Sequence, residues 1–163
     1  MTEPSFDPGG FFEFDLAKGK VRVDGGPRVL LLSETVLGLL VRMAVEQNDL
    51  TAVRSLGSEF GPLVARSLGA QPGSLTPAEV IAHVGGMISL FGWGSLRLEQ
   101  WGDALVLHVE GLPPLDDDNL AVAALLGGMF STLCASEVAC VPIGLSGRYM
   151  MVDPMIAEQV WTW

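Results

Sequence analysis

The chain has 163 residues, 49 % of them apolar and only 17 % charged, with 19 acidic against 9 basic residues and a net charge of −10. That length suits one domain able to bury roughly two-thirds of the surface its unfolded chain exposes, and the acidity excludes binding dominated by nucleic-acid phosphates or anionic lipid. Two cysteines make no disulfide framework, no charged-then-apolar leader opens the sequence and no apolar stretch reaches membrane-span length, so a cytoplasmic protein is expected.

Residues 1–10 hold Pro4, Pro8, Gly9 and Gly10 and read as a flexible tail. A single domain is expected over 11–153. Phe12 to Leu16 alternates as a half-buried strand does, Lys18-Gly19 turns the chain, and Val21-Arg22-Val23 answers. Gly25-Gly26-Pro27 ends this hairpin, whose phenylalanines are expected to pack on their own domain. Ser33-Glu34-Thr35 opens a helix carrying Val36, Leu37, Leu40, Val41, Ala44 and Val45. A second helix spans 50–68; Gly57 and Gly61, four apart on one face, invite another backbone close, and Pro62 predicts a kink or break near 58–61. A loop is expected over 69–73.

Thr76-Pro77-Ala78-Glu79 is a capping box with proline at the first helical position. The helix it starts runs to Phe91, where Gly92-Trp93-Gly94 stops it. Within it, Val84-Gly85-Gly86-Met87-Ile88-Ser89 returns 42 positions later as Leu126-Gly127-Gly128-Met129-Phe130-Ser131. A hairpin pattern follows each copy: Leu96, Leu98 and 104–109 about Gly102-Asp103, then 138–143 and 148–152 about 144–147. Two αββ units in one pseudo-symmetric domain are expected, the glycine pairs making close helix contacts with the sheet or a second subunit. Asp116-Asp117-Asp118-Asn119 suits the positive end of the second unit's helix and lacks the spaced ligands of a calcium loop. Residues 154–163 read as a tail or short helix with Ile156, Val160 and Trp163 on one side.

Chemistry is sparse. His83, His108, Cys134 and Cys140 lack the paired close spacing of a zinc site and read better as satisfied histidines and small buried hydrophobes. No phosphate loop, no Gly-x-Ser-x-Gly elbow and no His–carboxylate–nucleophile set is present. No catalytic residue, no cofactor and no metal are expected, and the protein is not expected to be an enzyme.

Two helices followed by helix, hairpin, helix, hairpin resembles the 4-vinyl-reductase-type ligand-binding domain, which shares its fold with the small TRAPP subunits and, more distantly, with haem-type nitric-oxide sensors. The resemblance covers 28–153 and rests on Arg28-Val29-Leu30-Leu31-Leu32, Gly57-Ser58-Glu59-Phe60-Gly61, Phe91-Gly92-Trp93-Gly94, and Gly127-Gly128 leading to Glu137-Val138-Ala139-Cys140. It implies an α+β, TRAPP-like domain with an antiparallel sheet packed on helices. Bacterial members carry a further Cys after Gly144, and in aromatic-sensing members Cys and acidic residues there bind zinc; Gly147-Arg148-Tyr149 has none, so zinc is not expected.

The expected function is therefore a non-enzymatic, dimerising adaptor or regulatory module, a homodimer that binds another protein such as a small GTPase or a cytoskeletal or motility component. Gly57, Gly61, Trp161 and Trp163 are its candidate interface residues. The alternative is a sensor holding a small apolar ligand in an internal pocket lined by Met87, Phe91, Met129 and Phe130. No DNA-binding, kinase or ATPase module is recognisable in the sequence, so such a sensor would report to a separate partner.

Overall fold

The computed structural model describes residues 9–23, 26–47, 49–67, 69, 76–112 and 115–160. Its elements run β1 (Phe12–Asp15), β2 (Lys20–Val23), β3 (Arg28–Val29), α1 (Glu34–Glu46), α2 (Leu50–Ser67), α3 (Pro77–Leu90), β4 (Ser95–Trp101), β5 (Ala104–Glu110), α4 (Leu120–Cys134), β6 (Ala139–Pro142), β7 (Arg148–Val152) and α5 (Pro154–Val160). The fold is α+β: a small sheet β1-β2-β3 and a four-stranded antiparallel sheet in the order β4-β5-β7-β6, with helices packed against them.

The two αββ units form as the repeat predicts. Their hairpins join through β5 and β7, which pair antiparallel from Leu105↔Met151 to His108↔Arg148. Side chains alternate across the sheet. Leu96, Leu107, Val109, Cys140 and Tyr149 enter the core beneath α3 and α4. Arg97, Glu99, His108, Glu110 and Arg148 stand on the opposite face in an ion-pair ladder.

Local signals fix the helix starts. Ser33 Oγ accepts from the Val36 amide, and both arms of the Thr76–Glu79 capping box are made. At α4, Asn119 is left-handed (φ 63°) and does not cap with its side chain. Asp116 Oδ2 accepts from Ala121 N at 2.7 Å and Asp118 Oδ1 from Leu120 N at 3.3 Å, so the acidic run serves the helix end as expected.

α2 and α4 form the most intimate helix pair, and glycine is the reason. A Cβ at Gly57 would run into the Leu125 carbonyl, one at Gly61 into the Thr132 side chain, and one at Gly128 into the Arg54 carbonyl. Gly57 and Gly61 are buried inside this chain. That corrects their expected place in a dimer interface: the backbone they admit is that of α4.

Three further expectations need correction. Of the kink or break expected near 58–61, the break does not occur: α2 runs on through Pro62. Proline leaves the carbonyl four residues back without its donor; Thr132 Oγ1 stands 3.3 Å from that Ser58 carbonyl and shares its one proton between it and the Gly128 carbonyl, also at 3.3 Å. Residues 26–29 do not simply end the first hairpin but return as β3, with Val21 opposite Val29. The hairpin's rings divide: Phe11 is buried, Phe12 half-buried and Phe14 exposed. Residues 1–8 of the tail expected over 1–10, most of the loop at 69–73, and Trp161 and Trp163 lie outside the described residues.

Candidate functional site

Of the four residues expected to line an internal pocket, three do not. Met87, Met129 and Phe130 are 0 %, 1 % and 1 % exposed and fill the main core between helices and sheet. The reason is packing: α4 is apolar on nearly every side, so its large side chains close the space that they were expected to border. Phe91 alone lines a cavity.

That cavity is an apolar cleft of about 360 Å³ between the small sheet, the 29–32 connector, α2 and the end of α3. Phe12 comes from β1, Phe60 from the exposed turn of α2, and Phe91 from the C-cap of α3. Trp93 sits in the turn that Gly92 and Gly94 allow, both at positive φ. Their rings touch in series. Phe12 meets Phe91 edge-on at 5.4 Å, Phe91 meets Phe60 edge-on at 5.2 Å, and Phe60 meets Trp93 at 5.0 Å. Such pairings of ring edge and face hold an aromatic wall in a fixed shape. Leu30, Leu31 and Leu32 form the opposite lip and are 72 %, 62 % and 55 % exposed. Glu59 is the one charged residue among the described residues that line the cleft.

The charged groups lie elsewhere. His108 Nδ1 is 3.1 Å from Glu99, which also takes the Arg148 guanidinium at 3.2 Å. Hydrogen bonding to Arg148, first, holds the Glu99 carboxyl below its usual range. His83 sits on α3, where burial lowers its pKa. The two histidines stand on separate elements, and no group of three or more potential ligands is placed to hold a metal among the described residues.

Nor do the residues of the 137–149 stretch fit the zinc of the aromatic-sensing members. The Arg54 guanidinium sits there, donating to Glu137 Oε2 at 2.8 Å, Ser131 Oγ at 2.8 Å and the Val138 carbonyl at 3.0 Å. Burial pushes the Cys140 thiol up to about 12, and Cys134 lies exposed. A fixed cation beside a protonated thiol opposes a second cation. Arg54 was missed in the sequence because nothing local marks a helical arginine whose partners lie more than 75 residues away. The leucine run 30–32 was read only as part of a resemblance, although three consecutive leucines ahead of a helix cap are a signal of exposed apolar surface.

No family model matches the sequence, and no curated protein matches it. Among solved structures the fold is similar to the crystal structure of the phenol-responsive sensory domain of the transcription activator PoxR with phenol, at 12 % identity and a TM-score of 0.68, over 92 % of this chain and 90 % of that one. At that identity the likeness establishes the fold, and it gives no support to the TRAPP side of the resemblance.

Proposed function

We propose that this domain is a non-enzymatic sensor that takes a small apolar, aromatic ligand in the cleft walled by Phe12, Phe60, Phe91 and Trp93. The observation that carries the reading is the cleft itself: about 360 Å³, aromatic on one side, leucine on the other, with a single carboxylate. Pockets of this size and lining suit small apolar molecules, and a few convergent polar groups set their orientation. The similar fold of a domain that responds to phenol supports a sensory role, which now takes precedence over the adaptor role. Glu59 would accept a hydrogen bond from a hydroxyl and repel a carboxylate. Leu56, 47 % exposed on α2, lines the cleft without belonging to the core. Leu56→Trp is expected to fill the cleft and abolish binding of phenol or toluene while leaving the melting temperature within a degree or two. Undiminished binding in this variant, measured by calorimetric titration, would move the ligand elsewhere.

A second reading rests on α1. Leu37 and Val41 face the core, yet Val36, Leu39, Leu40 and Met43 are 43–52 % exposed on the outer side. A helix apolar on both faces needs a second cover. The row has the i, i+3, i+4, i+7 spacing that packs on a copy of itself about a two-fold axis, Val36 against Met43 and Leu39 against Leu40. It carries no charge, so two chains of net charge −10 meet there without like charges opposed. A homodimer through α1 is therefore proposed; no feature of this face selects a small GTPase or a cytoskeletal component.

A further inference from the structure

A second cavity, of about 380 Å³, lies where the N-terminal end of α4 meets the end of β5 and the β6–β7 turn. It shares no lining residue with the aromatic cleft. Its polar residues are His108, Glu110, Asp116, Asn119, Ser146 and Tyr149; no Lys or Arg lines it among the described residues. Gly147 shapes one wall: it holds φ +69°, and a Cβ there would strike the Val109 carbonyl.

One polar atom at this cavity lacks a partner. Asp116 uses Oδ2 to cap α4, while its Oδ1 is buried with no hydrogen bond. Tyr149, 1 % exposed, lines the same cavity. The two are within electrostatic reach, since the Asp116 charge adds to burial in holding the phenol proton on. Buried polar groups are nearly always paired, and an orphan beside a cavity calls for an occupant. A carboxylate oxygen accepts only, and a tyrosine hydroxyl can accept as well. The missing occupant is a donor; Glu110 is already paired with Arg97 and His108, but Asp116 and the neighbouring Asp118 have no ion-pair partner among the described residues, so the donor that suits them is a cation. Leu112, Leu115 and Val122 add an apolar side to the cavity, which suits an organic cation better than a bare ion.

We propose that this cavity is a second binding site, for a small organic amine whose ammonium group donates to Asp116 Oδ1 and Tyr149 Oη while its hydrocarbon part lies on Leu112, Leu115 and Val122. The site stands independently of the aromatic cleft. The test is an amide-detected NMR titration with benzylamine, set against benzyl alcohol and benzoate as its neutral and anionic counterparts. Benzylamine is expected to shift the Asn119, Ser146 and Gly147 signals saturably, benzyl alcohol roughly tenfold more weakly, and benzoate not at all. Asp116→Asn keeps an oxygen to cap α4, so it is expected to fold and yet to bind benzylamine at least about tenfold more weakly. Tyr149→Phe should weaken it less, and Leu56→Trp in the cleft should change nothing. Absence of a saturable shift, equal binding of the three probes, or unchanged affinity in Asp116→Asn would overturn the proposal and leave ordered water as the occupant.

Discussion

Thr132 solves a problem that Pro62 creates. The Ser58 carbonyl, left without its helical donor, lies 3.3 Å from Thr132 Oγ1, whose one proton it shares with the Gly128 carbonyl at the same distance. Thr132→Val keeps the shape and removes the donor, so it is expected to cost about 1 kcal/mol in a denaturant titration. In a Pro62→Ala background the helix supplies its own N–H, and the cost should shrink; an undiminished cost would show that the bond is incidental. Asp116 gives a second expectation at this scale. Burial, with Asp118 close by, raises its carboxyl from 3.8 to about 6. Its protonated form is thus favoured by the fold, so its contribution is greatest below about pH 4 and declines as pH rises towards about 6. The charged group that acts on it is Asp118, and Tyr149, its phenol raised by burial, stays protonated through this range. Glu79 and Glu99, held low, contribute in the opposite direction. The readout is therefore the difference between wild type and Asp116→Asn: the variant should gain relative stability from pH 4 to pH 7, and parallel curves would contradict the shift. Capping of α4 was legible in the Asp-Asp-Asp-Asn run, but the orphaned Oδ1 was not, because burial of one carboxylate depends on strands far along the chain.

Among the elements, α2 and α4 show what helical spacing reveals and what it leaves open. Gly57 and Gly61 announce a close approach, since glycine costs a helix about 1 kcal/mol against alanine and must be compensated. Nothing in the spacing says which backbone approaches; it is that of α4, which meets Gly57 at Leu125 and Gly61 at Thr132 and itself comes close to Arg54 at Gly128. Gly57→Ala should cost about 2 kcal/mol or more, because its methyl meets backbone that cannot rotate away. Gly38 in α1 is the control: a Cβ there meets nothing within 4 Å. Gly38→Ala should stabilise by up to about 1 kcal/mol, and equal losses at both sites would refute the packing argument. The hairpins were legible for the opposite reason, being local: Gly102-Asp103 joins Trp101 to Ala104 with no register left to choose. β3, at two residues, is too short to show any alternation, and the β5–β7 pairing that unites the repeats spans some forty residues. Met87, Met129 and Phe130 were recognised as inward-facing, but a core and a pocket look alike in sequence until the opposing surface is known.

The whole molecule joins an acidic surface to an unusually large apolar exposure. Among the described residues, eight of the fourteen exposed large hydrophobics lie in Leu30–Leu32, the outer row of α1 and Leu56 of the cleft. Exposed apolar surface gathered in this way marks interaction sites. Dimerisation through α1 is checked by sedimentation velocity: wild type should sediment as two chains, and Leu39→Glu, which puts like charges across the two-fold, as one. A monomeric wild type would sink that reading without touching the cleft. The aromatic-walled cleft is expected to hold a small aromatic molecule. This is tested most directly by methyl-detected NMR on leucine-labelled protein titrated with phenol. Leu31, Leu56 and Leu63 signals should shift together and saturably, and those shifts should vanish in Leu56→Trp. Shifts confined to core leucines such as Leu107 and Leu126, or none at all, would contradict it.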